Sequence, residues 1–205
     1  MAFLDKLKRQ AQQAARSAGN QAFQNLGQAA KETISNMGNK NYTVTLTDVP
    51  ANLAEMQMMK EADLTKPENT AALTVAALCM YPVDTEAALE MLSFLQGPKG
   101  LSGYDRQFLA ERFRGKDYIP RSYFKGATPQ NNYEPSEPLT LQFFENPYSR
   151  DNYDQGYLTL HISSGGADSA RQVKLRKKTS TGQWFLWEQF LMVEIRKPAN
   201  EDPWA

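Results

Sequence analysis

Between residues 139 and 190 the chain repeats one pattern four times, and this constrains its fold more than any other feature. The segments LTLQFFE (139–145), YLTLHIS (157–163), RQVKLRKK (171–178) and QWFLWEQF (183–190) are short, β-prone and largely alternating. A period of two sends successive side chains to opposite faces of a sheet. Leu158, Leu160 and Ile162 therefore share one face, and Tyr157, Thr159 and His161 the other. On the next segment Val173 and Leu175 oppose Lys174, Arg176 and Lys178. The stretches between them, NPYSRDNYDQG, SGGADSA and TSTG, hold the Gly, Pro, Asn, Asp and Ser that turns require. The pattern predicts an antiparallel meander with one apolar and one wetter face.

A fifth strand is expected in NYTVTLTDVP (41–50), where Val44 and Leu46 alternate with threonines and Pro50 ends the run. Four helices are expected between it and the meander, over 51–60, 67–80, 85–96 and 103–114. Their starts carry capping signals: Asn52 with Glu55, Thr65 with Glu68 and Pro67, Asp84, and Ser102 with Asp105. Their ends carry stops, at Tyr81-Pro82, Gly97-Pro98 and Gly115. Residues 116–138 have four prolines and four aromatics without a period, and read as a long irregular connection. The fold class is α+β, with about four helices layered on an antiparallel sheet of four to five strands.

Residues 1–40 differ from the rest. Residues 3–36 are rich in Ala and Gln and predict a helix. The first 40 residues carry a net charge of +4, and the other 165 a net of −4. The domain division is thus a basic helical arm, 1–40, and an α+β domain, 41–205. Phe3, Leu4 and Leu7 beside Lys6, Lys8 and Arg9 have the chemistry of a helix lying on an anionic surface. Docking on the chain's own domain or on another subunit fits the same residues, because an alanine-rich helix buries little area alone.

Lys+Arg and Asp+Glu balance at 23 each, which leaves no overall basic field of the kind nucleic acid selects. The one cysteine, Cys79, lies in an apolar run and reads as a buried, inert thiol. No signal peptide is expected from the given N-terminus, which lacks a continuous apolar core; no apolar run reaches about 20 residues, and Ala2 does not fit the N-myristoylation pattern. The expected compartment is the cytoplasm.

Catalytic patterns are missing. His161, Ser163, Ser164, Asp168 and Ser169 are the residue types of a hydrolytic triad, but S-S-G-G-A-D-S is not the nucleophile elbow G-x-S-x-G and joins two strands. A glycine-bearing hairpin and a histidine on the wet face describe it better. No H-x-x-x-H or C-x-x-C spacing supplies a metal site. No catalytic residue, metal or cofactor is therefore assigned. Glu145, Asp151, Asp154 and Glu188 leave a two-carboxylate hydrolase open. The tract KLRKK (174–178) either touches an anion or protects a sheet edge with lysines. Trp204 is expected to tuck back onto the sheet.

The aromatic cluster is the most suggestive feature. Tyr118, Tyr123, Phe124, Tyr133, Tyr148 and Tyr153 lie on expected loops. They form either a contact surface or a set of pins that hold the loops down. The expected function is a non-enzymatic binding module using this aromatic surface, with the arm driving self-association or engagement of a protein partner. A small-molecule-binding or hydrolytic pocket between helices and sheet is the first alternative. A peripheral membrane protein anchored through the arm is the second.

IPRSYFKGATP (119–129), SGGADSARQVKLRKK (164–178), GQWFLWEQF (182–190) and IRKPANEDPWA (195–205) resemble an uncharacterised family of bacterial proteins over roughly residues 42–205. The resemblance implies a bacterial α+β protein and no activity. More loosely, helices followed by a meander are similar to cone-shaped folds of the nuclear-transport-factor type, which enclose a pocket. The order of elements departs from that fold, with one strand and four further helices ahead of the sheet.

Overall fold

The computed structural model describes residues 40–204. The chain divides between Asn39 and Lys40 into two units. The expected arm helix, with Phe3, Leu4, Lys6, Leu7, Lys8 and Arg9, lies outside the described residues.

The second unit is α+β. Strand β1 (Asn41–Leu46) is followed by helices α1 (Leu53–Met58), α2 (Pro67–Met80), α3 (Thr85–Gln96) and α4 (Gly103–Phe113). Strands β2 (Leu139–Phe144), β3 (Tyr157–Ile162), β4 (Arg171–Lys177) and β5 (Trp184–Gln189) complete it. The sheet order is β1-β2-β3-β4-β5, and each neighbouring pair is antiparallel. Long-range pairing of β1 with β2 brackets the whole helical insertion. Val44 sits opposite Leu141, and Leu46 opposite Leu139.

Capping explains three of the helix starts. Asn52 accepts from the Glu55 amide, Asp84 from the Ala87 amide, and Ser102 with Asp105 completes a reciprocal capping box. Helix α2 differs from expectation. Lys66 occupies its N-cap without a side-chain hydrogen bond, and the Thr65 hydroxyl donates to Asp63 instead. Pro67 at the first helical position, together with packing, starts this helix.

Helix α2 organises the core. Every residue from Thr70 to Leu78 is buried, so the helix has no polar face. It packs on β1, β3, β4 and β5 from one side and on α3 from the other. Its two buried threonines are satisfied: Thr70 donates to the Trp184 carbonyl at 2.7 Å, and Thr74 to the Thr70 carbonyl at 2.8 Å. Leu158, Leu160, Ile162, Val173 and Leu175 are buried, on the apolar face that their alternation predicted. Cys79 lies beside this core, and burial pushes its thiol up to about 12, so it stays protonated and inert at neutral pH.

Helix α3 stops at Gly97, whose φ is +54°. A Cβ there would stand 2.3 Å from the Phe185 ring, so the position needs glycine both for its backbone and for the ring packed on it.

Candidate functional site

The aromatic loop does not form a surface. Tyr118, Tyr123 and Phe124 are each 3% exposed and Tyr133 is fully buried. The segment folds inward because it has apolar side chains to bury and hydroxyls that find carbonyl partners. Tyr123 donates to the Leu191 carbonyl and Tyr133 to the Arg196 carbonyl at 2.6 Å. Tyr118 and Tyr133 stack at 5.6 Å. Tyr133 even takes a left-handed backbone, φ +58°, a strain offset by burying its whole ring. Tyr123 and Tyr133 pin the 116–138 connection to the C-terminal tail, and the contact-surface expectation is corrected for all four buried rings. Tyr148 and Tyr153 do reach solvent, at 75% and 38% exposure.

The serine-glycine loop joins β3 to β4, as expected, but its glycines serve close approach and not a left-handed turn. A Cβ on Gly165 would lie 1.9 Å from the Ala127 carbonyl oxygen, and one on Gly166 1.9 Å from the Tyr133 hydroxyl. Ser164 bonds Ser122 at 2.8 Å. Asp168 pairs with Arg196 on the exposed side. His161 and the loop serines are thus not assembled into a triad.

His161 corrects a second expectation. It is 6% exposed, because the β2–β3 connection folds over it. Its ring stacks on Phe144 at 5.5 Å, and its nitrogens meet Asn146 at 3.2 Å and Ser149 at 3.4 Å. Ser149 is 3% exposed and its hydroxyl accepts from the Asn146 amide, so this Ser–His contact is a structural clasp with no access for substrate.

Beside it Glu145, 5% exposed, receives two bonds from the Arg150 guanidinium and one from the Tyr42 hydroxyl. Arg150 also lies 4.4 Å over the Tyr153 ring. Burial alone would raise the Glu145 carboxyl; the bonds from Arg150 and Tyr42 outweigh it and hold the group below its usual 4.5. Burial holds His161 below its usual 6.5, against a smaller opposing effect from the Phe144 backbone. Both shifts act in the same direction on stability. The unfolded histidine gains its proton first, so stability is complete above 6.5 and falls as the pH drops from there to the lowered native value. The contribution of Glu145 is complete above 4.5 and is lost as the pH falls through its lowered native value. Denaturant titrations at pH 8, 6 and 4 are expected to give a stepwise loss. The chain has one histidine, so His161→Phe should flatten the step between pH 8 and 6. A wild-type midpoint that does not move across that step would contradict the burial.

The four carboxylates considered for hydrolysis do not meet. Glu145 is held by Arg150, Glu188 pairs with Lys174 at 3.6 Å, and Asp151 and Asp154 are exposed. Among the described residues no cluster of three His, Cys, Asp or Glu side chains has a metal-binding arrangement, and no helix is long and apolar enough to cross a membrane.

One open concavity among the described residues lies along β5. A chamber of about 260 Å³ sits where α3 and α4 meet β5, walled by Leu92, Leu101, Tyr104, Phe108 and Leu186. A second, of about 520 Å³, lies around the β4–β5 turn and is lined by Pro98, Arg176, Lys177, Lys178 and Phe185. Gln96, Lys99, Leu186 and Trp187 line both, so the two form adjoining parts of one cleft. Lys99 crosses between them, its ammonium donating to the Trp187 carbonyl at 2.8 Å and lying 5.0 Å over the indole. Gln96 is only 7% exposed, and its side-chain oxygen has no hydrogen-bond partner. A buried amide oxygen left unbonded is unfavourable by about 1–3 kcal/mol. The acids of the cleft are already engaged, Asp105 in the α4 cap and Glu188 with Lys174.

The domain of unknown function DUF6935 matches residues 48–199. The chain belongs to this family. The expectation of an uncharacterised family therefore holds, and the DUF6935 stretch contains every residue that lines the β5 cleft. No curated protein and no solved structure matches the chain. The looser likeness to cone-shaped folds implied an enclosed pocket; in this DUF6935 member the buried helix α2 packs against the sheet.

Sequence reasoning did not single out Gln96, Lys99 or Trp187. One signal was available for their neighbourhood: KLRKK was read as an anion contact or as edge protection. Strand β4 lies between β3 and β5, so its cations guard no edge.

Proposed function

We propose that the unit from Lys40 onward is a non-enzymatic binding module whose ligand occupies the β5 cleft. The unpartnered side-chain oxygen of Gln96 carries this reading. Gln96 lines both parts of the cleft while its side-chain oxygen is buried without a partner, so a turn of its amide toward a ligand that supplies the donor would satisfy it. Apolar walls from α3, α4 and β5 give the ligand contact area, and Lys99 and Trp187 divide the cleft at its centre. The engagement of Asp105 and Glu188 in other contacts supports binding over hydrolysis.

Amide and indole NMR spectra of the full chain, titrated with a library of neutral, cationic and anionic aromatic fragments, test this. Shifts are expected at the Gln96 side-chain amide and the Trp187 indole N–H. A library that moves neither resonance, or that moves only residues away from β5, would overturn the proposal.

A further inference from the structure

The cations of the cleft have an unusual set of partners. Arg176 lies 5.1 Å over Tyr157 and 4.8 Å over Trp187. Lys99 lies over Trp187 as well, and Lys177 over Trp184 at 5.7 Å. Tyr157 and Trp187 meet edge to face at 5.6 Å, so the rings brace one another. Among the described residues none of Lys99, Arg176, Lys177 and Lys178 is in an ion pair.

Rings and carboxylates do different things to a cation. A carboxylate fixes its position and cancels its field. An aromatic face fixes the position through its quadrupole and leaves the net charge in place. Four cationic residues line one cavity of about 520 Å³; Lys99 and Arg176 are held over Trp187 and Lys178 shares the Arg176 face, while Lys177 turns to the other face over Trp184. They stand on a domain that is otherwise acidic, since residues 41–205 carry a net of −4. Edge protection does not explain them, because β4 is an internal strand. The Thr179 and Ser180 hydroxyls line the same cavity and add uncharged donors.

We infer that the ligand of the β5 cleft is a small organic phosphate, its phosphate held by Lys99, Arg176 and Lys178 and its uncharged body donating a hydrogen bond to Gln96. The inference rests on the cleft being the binding site. Phosphate matches the donor set better than carboxylate, because it carries up to two charges and three acceptor oxygens. The body of the ligand extends from the basic part past Lys99 and Trp187 toward the apolar chamber, which shares those walls.

Calorimetric titration of the full chain at low salt with AMP, glucose 6-phosphate and glycerol 3-phosphate, each against its unphosphorylated counterpart, tests this. At least one phosphate is expected to bind about tenfold or more tightly than its counterpart, and to weaken as salt is raised. Arg176→Gln and Lys178→Gln are each expected to weaken it several-fold. Among the described residues the Lys178 ammonium is not one of those placed over a ring, so that variant answers even if the aromatic lattice is disturbed by the first. Equal affinity for phosphorylated and unphosphorylated probes, or no effect of either substitution, would overturn the inference. So would a single-stranded oligonucleotide or an anionic vesicle bound far more tightly than every small phosphate. If neutral fragments still shift Gln96 and Trp187 in that case, the cleft stands and only the ligand class falls.

Discussion

Trp184→Ala in the full chain is expected to lower stability by about 3–5 kcal/mol, the range for removing a large buried aromatic. Trp184 is 4% exposed, where the central helix, the β5 edge and the β2–β3 connection converge. Its amide donates to the Leu64 carbonyl at 2.8 Å and its carbonyl accepts from Thr70 at 2.7 Å. Those backbone bonds survive the substitution. The loss is therefore one of packing: a cavity beside α2, an unsupported Tyr153 ring at 5.9 Å, and a Lys177 ammonium without its aromatic face. For a chain of this size the melting temperature should fall by roughly 10 °C. Trp204→Ala is the control. Trp204 is 93% exposed, contrary to the expectation that it packs on the sheet, because its one described bond is local, from its amide to Asp202. Its removal should change stability by no more than about 0.5 kcal/mol. Equal melting temperatures for the two variants would refute this account of the core.

Gly165→Ala is expected to destabilise the chain by about 3 kcal/mol, at the upper end of overpacking effects. The added methyl would meet a backbone oxygen, that of Ala127, at 1.9 Å. A flexible side chain could swing away; a carbonyl held in a packed segment cannot. Retreat of the loop would break the bond from the Gly165 amide to the Ser122 carbonyl at 2.9 Å and the Ser164–Ser122 bond. Gly103→Ala gives the contrast. A Cβ there meets nothing within 4 Å and sits in the first turn of α4, so it should be neutral or slightly stabilising. Urea midpoints for both variants check the pair, and a Gly165→Ala midpoint equal to wild type would show that the loop is free to move.

Local chemistry wrote most of the architecture into the chain. Ser102 with Asp105 and Asp84 mark helix starts through bonds made within one turn. Alternation from Leu158 to Leu175 reports which face is dry, because a strand has no other period. The order of elements and the α+β class follow from signals of this kind, each spanning only a few residues.

What each exposed-looking residue would touch was decided by partners far away in sequence. Tyr123 and Tyr133 are buried by a tail more than 60 residues downstream. His161 is on the face that alternation assigned, yet a loop folds over that face and removes the water. The lysines of 174–178 look like edge protection until the sheet order places β4 inside. The cleft joins the last residues of α3 to β5 across some 90 positions. By itself the sequence determined the elements, their order and the dry faces, because capping and periodicity are short-range. Only the tertiary structure decided which polar atoms are left unbonded and which cations are left unpaired, because both depend on contacts that form when distant segments meet.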